Sequence, residues 1–597
     1  MSGGISLFVV MKFTRKISHQ LEIVKKLELC PSILNVDIER YSFAFLANDL
    51  LCGLRIFLML FPIALALAFF CGTSPLQGII SCAIASMCSI IIGGSKYQIS
   101  SIALPLCVVT FEILAKYQYK GLLFSAIFVS VILTIFGLLR FSDVLKYLSG
   151  AYVAALVVYV SLFIIIQQIQ YILGIDTIQH SQSFVENLGT LKANIKNVNV
   201  QQIMYGGAFL IPLILIRWKI KSYFSFFLYL CVGAGVIFAQ THGMIPFLEP
   251  IKNIGSEFLN AQVIDNITTI SKEIPSQTFL INILNYAFAI AVVIATEACF
   301  CTNVASSITG DRNLQANAEL ISSGVANFAS VACGGLMISP NLTFTMTNIS
   351  YKAKTIIGLL AVCFLSFAFV KYSWIIIEYI PVHCISAILV VFAISTFFSK
   401  EPLQYMNYKY YESYIFWATI IAALYFGFIP AVIIGFTTSM IFFSKRMVKI
   451  KDAAVHSTKN HDTGAIEFMH NKNGFSNSVN LPKEIMDRIE VIQINNILFL
   501  NITKLVDESL NNRGIFPDVI ILYFKNVPFL DGEAMSSLKH IVKKVKDRGS
   551  TVIVSGTNGM LLEILRQKEE KENIGHIFGY IVPNFKEAIK KITERMK

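Results

Sequence analysis

Ser100-Ser101-Ile102-Ala103-Leu104-Pro105 opens one apolar run of the chain. Ser339-Pro340-Asn341-Leu342-Thr343, preceded by Gly334-Gly335, opens another. Both runs start with proline and small polar residues, and the second is short, near 340–350. A helix that starts in the middle of a bilayer leaves free N–H groups and a positive dipole end. Two such ends facing each other attract an anion. Paired short, Gly/Pro-interrupted segments in the two halves of a chain point to an inverted repeat with a site near the membrane midplane.

The surrounding composition supports a membrane reading. The chain has 597 residues, 55% apolar and 14% charged, with net charge +12 and mean hydropathy +0.64. Soluble domains carry about 25% charged residues. A soluble, disordered or collagen-like chain is excluded as a description of the whole. A span needs about 20 apolar residues. Fourteen candidate spans lie near 50–71, 76–94, 101–115, 121–140, 148–173, 202–217, 223–241, 280–308, 317–335, 340–350, 355–371, 374–398, 414–428 and 430–444. The interrupted runs are the third and the tenth. Residues 440–597 hold 24 Lys/Arg and 18 Asp/Glu, a density far above that of residues 1–439. The expected domains are a cytoplasmic arm (1–48), a transmembrane domain (49–446), a linker (447–462) and a soluble tail (463–597).

Lys and Arg crowd one set of loops. The even-numbered loops and both flanks hold 21, the odd-numbered loops seven. The positive-inside rule then places both termini in the cytoplasm, so the basic balance is membrane topology and not a nucleic-acid surface. No signal peptide is expected in residues 1–40. The twelve cysteines include no C-x-x-C pair and read as packing residues. Asn266-Ile-Thr is a glycan acceptor if the host glycosylates.

Glu297 lies deep in Ile290-Ala-Val-Val-Ile-Ala-Thr-Glu297-Ala-Cys-Phe. A central charge costs about 2.5–3.5 kcal/mol on insertion scales, so Glu297 is expected to face a cavity. It reads as a proton site, a cation site or a substrate-pathway group; a structural carboxylate is the alternative. Arg55, near a span start, reads as a snorkelling side chain. In the tail, Val491–Ile494, Ile497–Leu500, Asp518–Phe524 and Thr551–Ser555 are strand-like. Stripes such as Ala534, Leu538, Ile541, Val542 and Val545 are helical. This is a small α/β domain with no motif for catalysis.

In order along the chain, these residues resemble the SulP anion transporter family, sulfate permease-type and prestin-related. Asn48-Asp-Leu-Leu-Cys-Gly-Leu54 with Phe61-Pro62 resembles its first span. Thr309-Gly310-Asp-Arg312, Asn317-Ala-Glu319-Leu and Gly324-Val-Ala-Asn327-Phe-Ala-Ser330 resemble its eighth-to-ninth span signature. Gly334-Gly335-Leu336, Thr345 and Asn348 continue into the tenth span, and Ile380-Pro381 with Ala387–Val391 resembles the twelfth. Asn526-Val-Pro-Phe-Leu-Asp531 and Val582-Pro-Asn-Phe-Lys-Glu587-Ala588 resemble a STAS domain.

The resemblance implies a polytopic α-helical membrane protein of 14 spans. These form a 7+7 inverted repeat, split into core and gate domains, with a cytoplasmic α/β STAS domain. It implies a secondary anion transporter working as an elevator, and not an enzyme. It also implies a homodimer in the plasma or inner membrane. The expected partners are a small anion, the lipid bilayer and a regulatory protein bound by the STAS domain, with no nucleic acid. Glu297 falls on the family's eighth-span acidic position. Ser101, Ile102 and Leu104 fall near the third-span N-terminus. Ser339, Pro340, Asn341, Leu342 and Thr343 fall on the tenth-span segment.

Two positions depart from the family. Phe344 stands where many members carry Arg, and Ile63 where many carry Gln. Loss of a cation and an amide weakens the hold on a doubly charged oxyanion. The remaining field is two helix ends of about half a charge each, which an ionised Glu297 offsets. Glu297, with Thr343, is therefore expected to take a coupling proton or sodium ion when the anion binds, and no other cofactor is expected. This implies symport of sulfate, bicarbonate or a similar anion; exchange, or a non-transporting prestin-like motor or sensor, is the alternative. In the tail, Asp531 is followed by Gly532 and not by the Ser of phosphorylated STAS proteins. It reads as an N-cap.

Overall fold

The computed structural model describes residues 43–145, 149–175, 184–194, 200–219, 224–242, 276–311, 314–407, 411–457, 489–495, 518–525, 551–555 and 580–582, with Val542, Val545 and Glu587. The chain forms two compact units, Met1–Ile441 and Phe442–Lys597.

Helices dominate the chain up to Ser457. They are α1 (Phe43–Phe70), α2 (Pro75–Ile91), α3 (Leu104–Leu138), α4 (Ser142–Leu145), α5 (Ala151–Ile172), α6 (Phe184–Asn194), α7 (Val200–Lys219), α8 (Phe224–Thr241) and α9 (Gln277–Thr309). After these come α10 (Ala316–Ala332), α11 (Leu342–Ser350), α12 (Ile357–Ile377), α13 (Val382–Phe397), α14 (Lys400–Asn407), α15 (Tyr411–Phe426) and α16 (Phe428–Ser457). Among the described residues, seven helices are long and apolar enough to cross a bilayer: α1, α3, α5, α7, α8, α9 and α16. Shorter apolar helices occur in α2, α12, α13 and α15.

At 35 residues α3 is too long for one crossing, and it is broken at Gln118 (φ 53°, ψ −162°). The segment before the break rises about 21 Å and the one after it about 30 Å. The break falls in the polar gap between the runs 101–115 and 121–140. Other boundaries differ from the sequence reading for local reasons. α1 begins at Phe43, inside the arm read as 1–48. α13 starts at Val382 and not at 374, because Pro381 caps it in extended geometry; proline favours helix starts. α16 runs to Ser457, through most of the segment 447–462 read as a linker. Residues 447–457 contain no Gly or Pro to stop it.

Buried polar groups lock these helices together. Asp49 of α1 accepts from Lys354 N and Thr355 N, both at 3.1 Å, and from Thr355 Oγ1 at 2.5 Å. These amides precede α12, so the carboxylate ties α1 to the start of α12. Where α1 and α12 cross, a Cβ on Gly53 would sit 2.4 Å from Gly358 O. Only glycine permits that approach.

The second unit contains a parallel sheet in the order β3-β4-β5-β6: β3 (Ile489–Asn495), β4 (Val519–Lys525), β5 (Thr551–Ser555) and β6 (Tyr580–Val582). Ile489 pairs with Val519, Val519 with Thr551, and Ile553 with Tyr580. Each link is a crossover, as parallel neighbours require. Val519–Leu522 and Val552–Val554 are buried, as are the helical Val542 and Val545. Three of the strand-like stretches are thereby strands. Ile497–Leu500, Asn526–Asp531 and most of the tail's helical stretches lie outside the described residues, as do Asn266 and Arg312.

Candidate functional site

The two interrupted starts meet. β1 (Ser100–Ser101) and β2 (Ser339–Pro340) pair antiparallel, Ser100 with Pro340 and Ser101 with Ser339. Further bonds clasp the two segments. Asn341 N donates to Ile99 O at 2.8 Å, Ile99 N donates to Thr345 Oγ1 at 3.1 Å, and Asn348 Nδ2 donates to Tyr97 O at 3.0 Å. From this clasp α3 and α11 set off. Ala103 at the start of α3 offers no side-chain cap, and Pro105 in the first turn removes one orphan donor. Asn341 caps α11, accepting from Phe344 N at 3.3 Å. Two positive helix ends are thus brought to one place with amide hydrogens still to satisfy.

The third component is α9. Ser339 donates its hydroxyl to Glu297 Oε2. Next to it, Thr296 is hydrogen-bonded to Tyr152 of α5. Further along, Thr302 donates to Gln98 Oε1 at 3.0 Å, while Gln98 Nε2 has no hydrogen-bond partner among the described residues. Glu297 is half-buried, which fits a group facing a cavity. Ser101, Ile102, Leu104, Ser339 and Pro340 are buried, Asn341 and Leu342 half-buried, and Thr343 exposed. Phe344 is 1% exposed and Ile63 3%, both packed as apolar side chains. The structure therefore brings Glu297, Ser101, Ser339 and Asn341 together around β1–β2, and Thr343 stands apart at the exposed face of α11.

The stretch 309–338 is a scaffold for this clasp. Gly310 caps α9 in the left-handed region (φ 69°). Asp311 binds Lys96 at 2.8 Å. Burial pulls the Lys96 ammonium down, but Asp311 and Tyr97 together outweigh it and hold the group above its ordinary value. Glu319 of α10 is fully buried and accepts from Gly94 N at 2.9 Å. Asn327 exchanges two 2.9 Å bonds with Ile338 N and O, and Ser330 donates to Leu336 O at 2.7 Å. These bonds shape the chain between α10 and β2.

The sequence profile of the sulfate permease family matches residues 46–419. The chain belongs to the sulfate permease family. A STAS-domain profile matches residues 480–592. The family is made of transporters and not enzymes, and this member is an integral membrane protein. It is similar to the putative sulfate transporter YvdB of Bacillus subtilis (strain 168), at 22% identity over 554 residues, covering 90% of this chain and 97% of the relative. It is also similar to the chloroplastic sulfate transporter 4.1 of Arabidopsis thaliana, at 21% identity, covering 85% and 75%. Among solved structures, SLC26A9 shares the fold with TM-score 0.59 and 14% identity, covering 97% of this chain and 94% of that one. The transmembrane domain of a cyanobacterial bicarbonate transporter, BicA, gives 0.54 and 18%, covering 66% and 98%.

Several residues of this permease escaped the sequence reading. Tyr152, Thr296, Thr302 and Gln98 join the site through contacts between distant helices, which no local pattern announces. Glu112 carries the same signal as Glu297, an acid inside an apolar run, and was open to detection by it.

Proposed function

We propose that this protein is a secondary active transporter of a small anion, sulfate or bicarbonate or a similar species, driven by a coupled proton or sodium ion. The observation that carries the reading is the β1–β2 clasp, which sets the starts of α3 and α11 beside Glu297. The relatives named as sulfate and bicarbonate transporters agree in class. The anion takes hydrogen bonds from the open amides at the two helix starts and from the hydroxyls of Ser101 and Ser339, beside Asn341. The apolar Ile102, Leu104, Pro340, Leu342, Phe344 and Ile63 give the cavity its walls.

Coupling follows from charge. Two half-charges from the helix ends do not hold an anion beside an ionised carboxylate. In that state Ser339 spends its hydroxyl proton on Glu297. A proton or sodium ion arriving at Glu297 removes the repulsion and frees the Ser339 hydroxyl to turn to the anion. Anion and cation then bind together and move together. The wider reading is a 14-span, 7+7 inverted repeat with core and gate moving as an elevator. It includes a homodimer, cytoplasmic termini, a transmembrane domain over 49–446 and a tail over 463–597 that engages a regulatory protein.

Radiolabelled sulfate and bicarbonate uptake into proteoliposomes, with and without a proton or sodium gradient, tests the reading. Gradient-driven accumulation is expected. Uptake indifferent to both gradients would leave an exchanger, and no uptake of any anion would leave a motor or sensor.

A further inference from the structure

One face of α1 holds the turn between α11 and α12. The Cys52 thiol donates to Tyr351 O at 3.0 Å, and Asn48 Nδ2 to Lys352 O at 3.3 Å. The Tyr351 hydroxyl donates to Met59 Sδ at 3.7 Å. Two cations lie on aromatic faces at this joint. The Arg55 guanidinium carbon is 5.2 Å from the centre of the Tyr351 ring, and Lys354 Nζ is 3.4 Å from that of Phe45. Aromatic faces attract cations at this range, so both side chains are held in place. Lys352 lies between Tyr351 and Lys354 in the chain, in the left-handed backbone region (φ 61°) that few lysines adopt.

Arg55, Lys352 and Lys354 are all exposed, and among the described residues none has a carboxylate partner. Asp49 is buried, and its oxygens already take Lys354 N, Thr355 N and Thr355 Oγ1. Helical side chains lean toward the N-terminal end of their helix. Arg55 thus reaches back out of the apolar part of α1 to the level of the turn, where it meets Tyr351. Further into the two helices, Leu51 and Leu54 of α1 and Leu360 and Phe364 of α12 are exposed. Three uncompensated cations therefore stand above bare apolar side chains.

We propose that Arg55, Lys352 and Lys354 form the headgroup site of an anionic phospholipid, in the leaflet at this end of α1 and α12. Basic pockets between spans at the membrane surface hold anionic headgroups. An arginine grips a phosphate through two parallel N–H bonds, and lysines add point charges. A choline headgroup brings a cation of its own to three others, so the site selects against it. The apolar side chains below receive the acyl chains. The site meets the transport machinery through α11, which Asn341 caps at its start and Tyr351 at its end.

Native mass spectrometry of the full chain in detergent, titrated with phosphatidylglycerol or phosphatidylcholine, tests this. Phosphatidylglycerol is expected to bind more tightly. Arg55→Gln, Lys352→Gln and Lys354→Gln are each expected to weaken it about fivefold, with phosphatidylcholine binding unchanged. Lys192→Gln removes an exposed cation of α6 and is expected to change nothing. Equal binding of the two lipids would overturn the proposal. So would an equal loss in Lys192→Gln, because it would show a diffuse attraction to net charge. Displacement of phosphatidylglycerol by millimolar sulfate, but not by chloride of equal ionic strength, would make the cluster a port for the free anion and overturn the lipid assignment.

Discussion

Glu297 on α9 and Glu319 on α10 are both acids inside apolar helices, yet they are held in different ways. Glu319 is fully buried and takes the backbone N–H of Gly94. A backbone amide can only donate, so that partner suits a permanent acceptor. Glu297 is half-buried and takes the hydroxyl of Ser339. A hydroxyl donates or accepts by rotation, so that partner suits a group whose protonation changes. On the proposed reading, the same residue type serves as a fixed pin in α10 and as a switch in α9. Partner and burial differ together between the two acids.

Four substitutions test this contrast, and thermal unfolding of the purified full chain reads each. Glu319→Ala is expected to be the most damaging, at about 2–3 kcal/mol, because Gly94 N is left buried without an acceptor. Gly94→Ala follows at about 1–3 kcal/mol, since a Cβ there would lie 2.0 Å from Gln315 O. Ser339→Ala is expected to cost no more than about 1 kcal/mol, because a rotatable hydroxyl is lost and no fixed donor is stranded. A loss as large as that of Glu319→Ala would make Glu297 a pin as well. Lys96→Met is the mildest, at about 0–1 kcal/mol for a partly exposed ion pair. The raised Lys96 value means its contribution is complete below the lysine's unfolded titration and is lost only as pH rises through its folded one.

The sequence carried the parts of this arrangement that depend on local chemistry. Proline and small residues marked the starts of α3 and α11, Glu297 stood out against its apolar run, and three tail strands were legible from their β-branched runs. The limits of local reading are equally specific. Ser100 pairs with Pro340 across 240 residues, so the clasp is visible only once the two segments meet. Gln98 and Tyr152 sit in ordinary surroundings and become site residues through Thr302 and Thr296. The motif around 309–348 was read by resemblance, and its physical role as the frame of the β1–β2 lead-in follows from the bonds of Glu319, Asn327 and Ser330. α16 overran its assigned end because charge alone does not stop a helix that lacks Gly or Pro.

The central claim is that Glu297 changes state as the anion binds. Its most direct test is uptake of radiolabelled sulfate and bicarbonate by full-length wild type and Glu297→Gln in proteoliposomes, across proton and sodium gradients. The account predicts that Glu297→Gln loses gradient-driven accumulation and its dependence on pH or sodium. Full accumulation by the variant, with pH and sodium dependence unchanged, would contradict it.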